Sequence, residues 1–482
     1  MTRNRTRRPT AGPVAPLLAL LLVVVCAACT GGGTRGTDEG GGGGGGGTAA
    51  GSAAPGDVTG HIVVASGRDV TGKNGIRQQL IDAWNLREQR RNSGFRARLV
   101  ELSGSADEQR SQLLGALQSR SAAYDVVNLD VTWVPEFATA DLIEPLPRNL
   151  VDADIIPSVA GTAWWDGEVY AVPFNSDVGL LYYRRDHLKR AGVERPDLGD
   201  DLTWNGLRGL VEALDAQTAP DTYEKGWTTQ LAAYEGRTVN AVEAFASAVP
   251  DLELVDEKGR YTGDVDELTD GIAELRRRTE TAYTLQDAHS SDEDASLSDF
   301  AEGRTAFLRH WPSEYRTLYR TFSEDQLGVA PLPGRAVLGG QNLAVTGVSQ
   351  RKGKAAELIR FLTGKESERC LLEAGFAATR TSAYEDSGDG ERCTAVGPGP
   401  SASPTGEGAD PVPRDAGGRP AYARDTLLPA LQKAVHRPRT PLYGAFTQTF
   451  TTRLGPLHGD GVPSDEDLAE QLDKALRKAL PH

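Results

Sequence analysis

Between residues 61 and 129 the chain alternates strand-like and helix-like segments, and this alternation restricts the fold more than any other feature. His61-Ile62-Val63-Val64-Ala65-Ser66 is a short β-branched run. A stretch from about Gly75 to Arg90 places Ile76, Leu80, Ala83 and Trp84 on one helical face. A strand at Ala97–Leu102, a helix at Ala106–Arg120 and a third strand at Tyr124–Leu129 follow. Strand, helix, strand, helix, strand is the order of a parallel sheet with right-handed crossovers. Ligands of such sheets collect at the carboxyl ends of the strands. Asp130 follows the third strand directly, so it is placed for ligand contact or for a cap or turn.

Beyond this unit the pattern is looser. Residues 162–184 hold two tryptophans, an Asp166-Gly167 turn and the run Val169–Asp177. Residues 203–330 read as mostly helical, with Thr203 as a cap before Trp204. Residues 336–349 return to strand character, and 353–369 read as a helix. Residues 385–420 are rich in Gly, Pro, Ser, Asp and Arg and read as a surface insertion. An amphipathic helix from about Ser464 to Leu480 closes the chain.

The N-terminus carries Arg3, Arg5, Arg7 and Arg8, then an apolar stretch from about Val14 to Val25 that is too short to span a bilayer. Ala27-Ala28-Cys29 after it resembles a bacterial lipobox, with Cys26 where leucine or valine is commoner. The resemblance implies that residues 1–29 are a lipoprotein signal peptide and that Cys29 is acylated. The rest would then lie on the extracellular face of the cell membrane. An ordinary secretory signal, or a redox pair of Cys26 with Cys29, are the alternatives. Residues 30–57, with eight glycines from Gly40 to Gly47, read as a flexible leash with a reach on the order of 30 Å. In such a compartment Cys370 and Cys393 read as one disulfide rather than two free thiols. The loop so closed is worth roughly 3 kcal/mol.

The 482 residues carry a net charge of −15, and about −19 without the first 29. An acidic exterior argues against nucleic acid or anionic lipid as a partner. No later stretch approaches the ~20 apolar residues of a spanning helix.

Five motifs in order resemble the extracellular solute-binding lipoproteins of carbohydrate ABC importers. They are Trp165–Asp177 through Tyr182-Tyr183-Arg184; Leu202-Thr203-Trp204; Phe300–Phe307 with Trp311-Pro312; Pro331-Leu332-Pro333 with Gly339–Val345; and Arg437-Pro438 with Thr440-Pro441-Leu442-Tyr443. Leu129–Trp133 with Glu136-Phe137-Ala138, and Arg437–Tyr443, look like actinobacterial trehalose-binding lipoproteins. The resemblance implies two α/β lobes of the periplasmic-binding-protein type, joined by hinge crossovers with a ligand cleft between them. Residues 58–174 with 342–378 would form the first lobe, and 178–338 with 379–482 the second.

It further implies a sugar ligand, such as trehalose or another α-glucoside, handed to permease subunits served by a separate ATPase. The binder would be a monomer needing no cofactor or metal. By motif position Asp130 would accept hydroxyls from the first lobe, and Asn175 or Asp177 at the first crossover. Trp311 would stack on a sugar ring or belong to the core. Gly339 and Gly340, flanked by Gln341 and Asn342, would let backbone amides approach the ligand or only make a turn. Arg437 would donate to hydroxyls, pair with Asp130 across the cleft, or pair with a surface acid. Asp69, after the first strand, is a further candidate.

Enzyme signatures are missing: there is no G-x-S-x-G, H-E-x-x-H or P-loop, and the seven histidines have no metal-ligand spacing. The rival readings are an extracellular glycoside hydrolase with an unmarked carboxylate pair, and a sugar-sensing lipoprotein that feeds a signalling receptor.

Overall fold

The β-branched run at the start becomes the strand Gly60–Gly67, buried from Ile62 onward. Burial on both faces explains why it reads as a continuous apolar stretch rather than an alternation. The computed structural model describes residues 56–68, 75–216, 220, 222–385, 393, 396, 411–455, 457–458 and 461–481. Cys29, the glycine tract, Asp69 and most of 385–420 lie outside them.

Gly60–Gly67 pairs in parallel with Phe95–Leu102 on one side and Val126–Asp130 on the other. Helices Ile76–Arg90 and Ala106–Gln118 make the two crossovers. The second starts with a capping box, in which Ser105 accepts from the Glu108 amide and Glu108 accepts from the Ser105 amide. Ile76, Leu80, Ile81 and Trp84 form the buried face of the first helix. Two antiparallel strands complete this first sheet: Leu338–Val345 lies beside Val126–Asp130, and Val172–Val178 lies outside it.

A second sheet runs in the order Leu327–Pro331, Leu180–Arg184, Thr305–His310, Lys225–Thr228. Three of these strands fall in the region that reads as mostly helical. They are short and buried, as in Thr305–His310, where every residue is inside. A buried strand of that length carries no period of two to betray it. Helices Trp204–Asp215, Glu235–Ala248, Val265–Arg278, Glu293–Ala301 and Glu314–Leu318 lie between and around these strands, and Thr203 caps the first through its hydroxyl. The expected helix over 353–369 is two helices, Lys352–Leu362 and Lys365–Ala374, separated at Thr363-Gly364. The C-terminal helix Asp465–Ala479 is capped by Ser464. At the end of the expected surface insertion, Val412 and Arg419 are buried.

The chain passes between the sheets in short steps. Gly179 is the single residue separating Val172–Val178 in the first sheet from Leu180–Arg184 in the second. The return runs from Pro331 to Leu338. A third segment joins there: Val337 bridges to Val435 in parallel, and the Leu338 amide donates to the Val435 carbonyl at 2.8 Å. Two α/β lobes with such links are the architecture a hinge requires.

Cys370, in the helix Lys365–Ala374, is joined to Cys393 by a disulfide. Among the described residues no helix is long and apolar enough to cross a membrane.

Candidate functional site

The carboxyl ends of the first sheet face the second lobe across a cleft of about 1670 Å³. Asp107, Glu108 and Asp130 line it from the first lobe, and Tyr234, Glu235, Glu293, Trp311 and Glu314 from the second. Asp177, Gly339, Gly340, Gln341 and Arg437 line it near the crossings.

Trp311 follows the strand Thr305–His310 and is held from several sides. The Arg309 guanidinium lies over its ring, 3.8 Å from the centroid. The indole Nε1 approaches Glu293 Oε1 at 3.5 Å, and the Tyr182 hydroxyl donates to the Trp311 carbonyl at 3.0 Å. Gly339 makes room for the ring, since a Cβ there would stand 3.1 Å from both Trp311 Cζ3 and Asp177 Cβ. Gly340 has φ +111°, and a Cβ there would overlap the Asn175 carbonyl oxygen. Both glycines thus serve close strand pairing and the seat of Trp311, and both still line the cleft.

Asp130 is both a turn residue and an ion-pair partner. Its Oδ1 accepts from the Thr132 amide at 2.9 Å and the Thr132 hydroxyl at 2.7 Å. Arg437 Nη2 reaches Oδ1 and Oδ2 at 3.0 and 3.1 Å. Arg437 Nη1 donates to Glu235 Oε1 at 2.6 Å, so one buried guanidinium joins the two lobes. Glu235 also accepts from the hydroxyls of Tyr443 and Thr447. Of the three roles open to Arg437, the structure shows the pairing with Asp130.

Asn175 and Asn342 correct the sequence expectation, because neither lines the cleft. Asn175 is buried and its Oδ1 accepts from Arg77 Nη2 at 3.1 Å. Asn342 is fully buried and its amide donates to the Thr162 carbonyl and hydroxyl at 3.2 and 3.0 Å. Gln341 reaches the cleft, but its Oε1 accepts from Arg77 at 2.9 Å and Asn128 at 2.7 Å. A guanidinium from the first helix therefore occupies the acceptors that the motif order assigned to sugar. Asp177 does face the cleft, and its Oδ1 has no hydrogen-bond partner.

Residues 89–393 match the family model of bacterial extracellular solute-binding proteins, which is well over half of the chain. The chain belongs to that family. A probable ABC transporter-binding protein of Deinococcus radiodurans is 28% identical to it over 317 residues, 63% of this chain and 73% of that one. The sn-glycerol-3-phosphate-binding periplasmic protein UgpB of Pectobacterium atrosepticum is 24% identical over 265 residues, 49% of this chain and 54% of that protein. Maltose-bound MalE3 of T. maritima has the same fold, with a TM-score of 0.68 at 21% identity, covering 87% of this chain and 100% of that one.

The cleft of this solute-binding protein is acidic. Among the described lining residues are ten carboxylates, including Asp292, Glu293 and Asp294 at one helix start, against Arg68 and Arg437. The Arg437 charge is already matched by Asp130 and Glu235. Sequence reasoning missed Glu235, Glu293, Arg77 and Arg309. The only local signal there, Asp292 before Glu293, reads as a helix cap, and Asp292 does accept from the Ala295 amide.

Burial pushes the Asp177 carboxyl up to about 7; Arg77 and Arg309 oppose the shift, and the Asp130 and Glu314 charges add to it. A carboxyl whose folded pKa is raised holds a proton that the unfolded chain gives up. Stability is therefore lost as pH rises from about 4 to about 7, by on the order of 3 kcal/mol. Asp154 is shifted the other way, so the test is a difference. Urea unfolding is expected to show wild type losing ground against Asp177→Asn across that interval. Parallel profiles would mean that the carboxylate is well solvated.

Proposed function

We propose that this solute-binding protein captures a neutral, polyhydroxylated sugar in its cleft, closes over it, and delivers it to the permease of an ABC importer. Trp311 carries the reading: a rigid aromatic plane in a cleft rich in carboxylates. The apolar face of a pyranose calls for such a plane, which gives area at low entropy cost. Its hydroxyls call for acceptors, and hydrogen bonds to charged groups are worth ~1.5–3 kcal/mol each. Asp177, Glu293 and Glu314 line the cleft together with that plane. In this reading Asp130 and Arg437 shape the site from behind, and the backbone at Gly339 and Gly340 meets the ligand.

Two relatives suggest different cargo, a phosphate ester in one and maltose in the other. Charge favours the sugar, because the lining carboxylates beyond the two paired with Arg437 repel a dianionic phosphate, which would find Arg68 as its main cation. A disaccharide such as trehalose, or another α-glucoside, fits the likeness seen at Leu129–Trp133 and Arg437–Tyr443. Lobes of 58–174 with 342–378 and of 178–338 with 379–482 would move about the crossings at Gly179 and Val337, as a monomer held to the membrane through Cys29. The ATPase would be a separate chain, and the protein itself would do no chemistry.

Calorimetric titration tests this against trehalose, maltose, maltodextrins, cellobiose and xylobiose, with sn-glycerol-3-phosphate as the anionic control. Micromolar binding of one sugar, about −8 kcal/mol, without product release is the expected result. Preference for the phosphate ester would overturn the charge argument, and sugar breakdown would make the protein a hydrolase. Silence towards every α-glucoside would remove that assignment.

A further inference from the structure

Behind Trp311 lies a buried ion pair with a second set of contacts. Arg309 is 1% exposed and Glu243 is 2% exposed. Arg309 Nη2 donates to Glu243 Oε1 at 2.7 Å and Nε donates to Oε2 at 3.2 Å. The same Oε1 accepts the backbone amide of Val337 at 3.2 Å. Val337 belongs to the return crossing, and its carbonyl accepts from the Gly179 amide at 3.4 Å. Gly179, the whole of the first crossing, passes so close to the pair that a Cβ there would overlap Glu243 Oε1 and stand 3.0 Å from Arg309 Nη2. The other face of the guanidinium story is Trp311, 3.8 Å away over its ring.

We propose that Glu243 and Arg309 are a positioning pair that couples the Trp311 platform to the two crossings, so that seating a ligand on the indole is felt where the lobes hinge. This rests on the cleft being the ligand site. The chemistry supports a stiff coupling. A guanidinium is planar and can stack on an indole while both its edges hold a carboxylate. Removed from water, and with the Arg278 charge close by, that carboxylate holds three donors at once and so fixes them relative to one another. A ligand that shifts the indole plane must shift the guanidinium, and with it the bond to the Val337 amide. Neither residue lines the cleft, so neither needs to touch the ligand.

The test uses the unliganded protein, so it stands or falls separately from the sugar titrations. Two readouts are taken: the 19F resonance of fluorotryptophan at position 311, assigned with Trp311→Phe, and the interlobe distance distribution between spin labels on Arg98→Cys and Lys189→Cys. Glu243→Gln, Arg309→Lys (charge kept, plane lost) and Gly179→Ala (charges kept, crossing pushed) are expected to shift the Trp311 line and to roughly double the width of the distance distribution. Leu472→Ala, a core truncation in the C-terminal helix, controls for general loss of stability and is expected to change neither. Where a single variant does not fold, Glu243→Gln with Arg309→Met removes both charges at once and gives the same readouts. A moved Trp311 line with an unchanged distance distribution, or the reverse, overturns the coupling. So does an equal response to Leu472→Ala.

Discussion

Replacing Arg437 by glutamine is expected to destabilise the protein by about 3–5 kcal/mol, the cost of breaking a buried ion pair from one side. The effect is large because one guanidinium serves two carboxylates from opposite lobes, Asp130 and Glu235, while itself 4% exposed. Burial already pushes the Glu235 carboxyl up, and Arg437 is the main force opposing it. Without that cation the largest force holding the Glu235 carboxyl down is gone, and burial drives it further up. Two checks follow from the mechanism. The deficit in urea unfolding should shrink as pH falls, because the Glu235 carboxyl is then neutralised by a proton. Adding Asp130→Asn and Glu235→Gln to Arg437→Gln should recover much of the loss, since no charge is then stranded. A deficit below about 1 kcal/mol, the range of exposed pairs, would mean that water reaches all three groups.

Replacing Trp311 by alanine is expected to weaken sugar binding by about 30- to 1000-fold, or ~2–4 kcal/mol, as for a central aromatic anchor. The indole is half-buried and its inner face is occupied by Arg309, which leaves the outer face to the cleft. Stability should fall much less than affinity, because the ring contributes more to the cleft wall than to either lobe's core. Trp311→Phe keeps a plane of smaller area and should fall between wild type and alanine. Calorimetry on the best sugar of the panel measures all three. Wild-type affinity in Trp311→Ala would move the ligand away from the indole and remove the main support for a stacked sugar.

The two expectations differ in how far the sequence could anticipate them. Trp311 stands in a local pattern, Phe300–Phe307 followed by Trp311-Pro312, and the structure places it in the cleft. Arg437 was open to three roles, and the choice needed Asp130, 307 positions away in the chain. Asn175 and Asp177 looked equivalent, two residues apart on one strand. Arg77 satisfies the first and leaves Asp177 Oδ1 unpartnered. Nothing within a dozen residues of Asn175 announces Arg77, which is 98 positions earlier.

By itself the sequence determined what local rules govern. The parallel unit at 60–130 follows from its alternating periods, the start of Trp204–Asp215 from the Thr203 hydroxyl, and the pairing of Cys370 with Cys393 from there being no other cysteine after the N-terminal segment. Each depends on groups close in sequence or on composition alone. Only the tertiary structure decided which polar side chains are free to meet a ligand. A residue's type fixes how many hydrogen bonds it can make, but distant segments decide how many are already made. At Asn175, Gln341 and Asn342 the partners Arg77, Asn128 and Thr162 arrive from elsewhere in the fold and take up the capacity. Asp177 keeps a place on the cleft wall, and its buried Oδ1 is left unbonded.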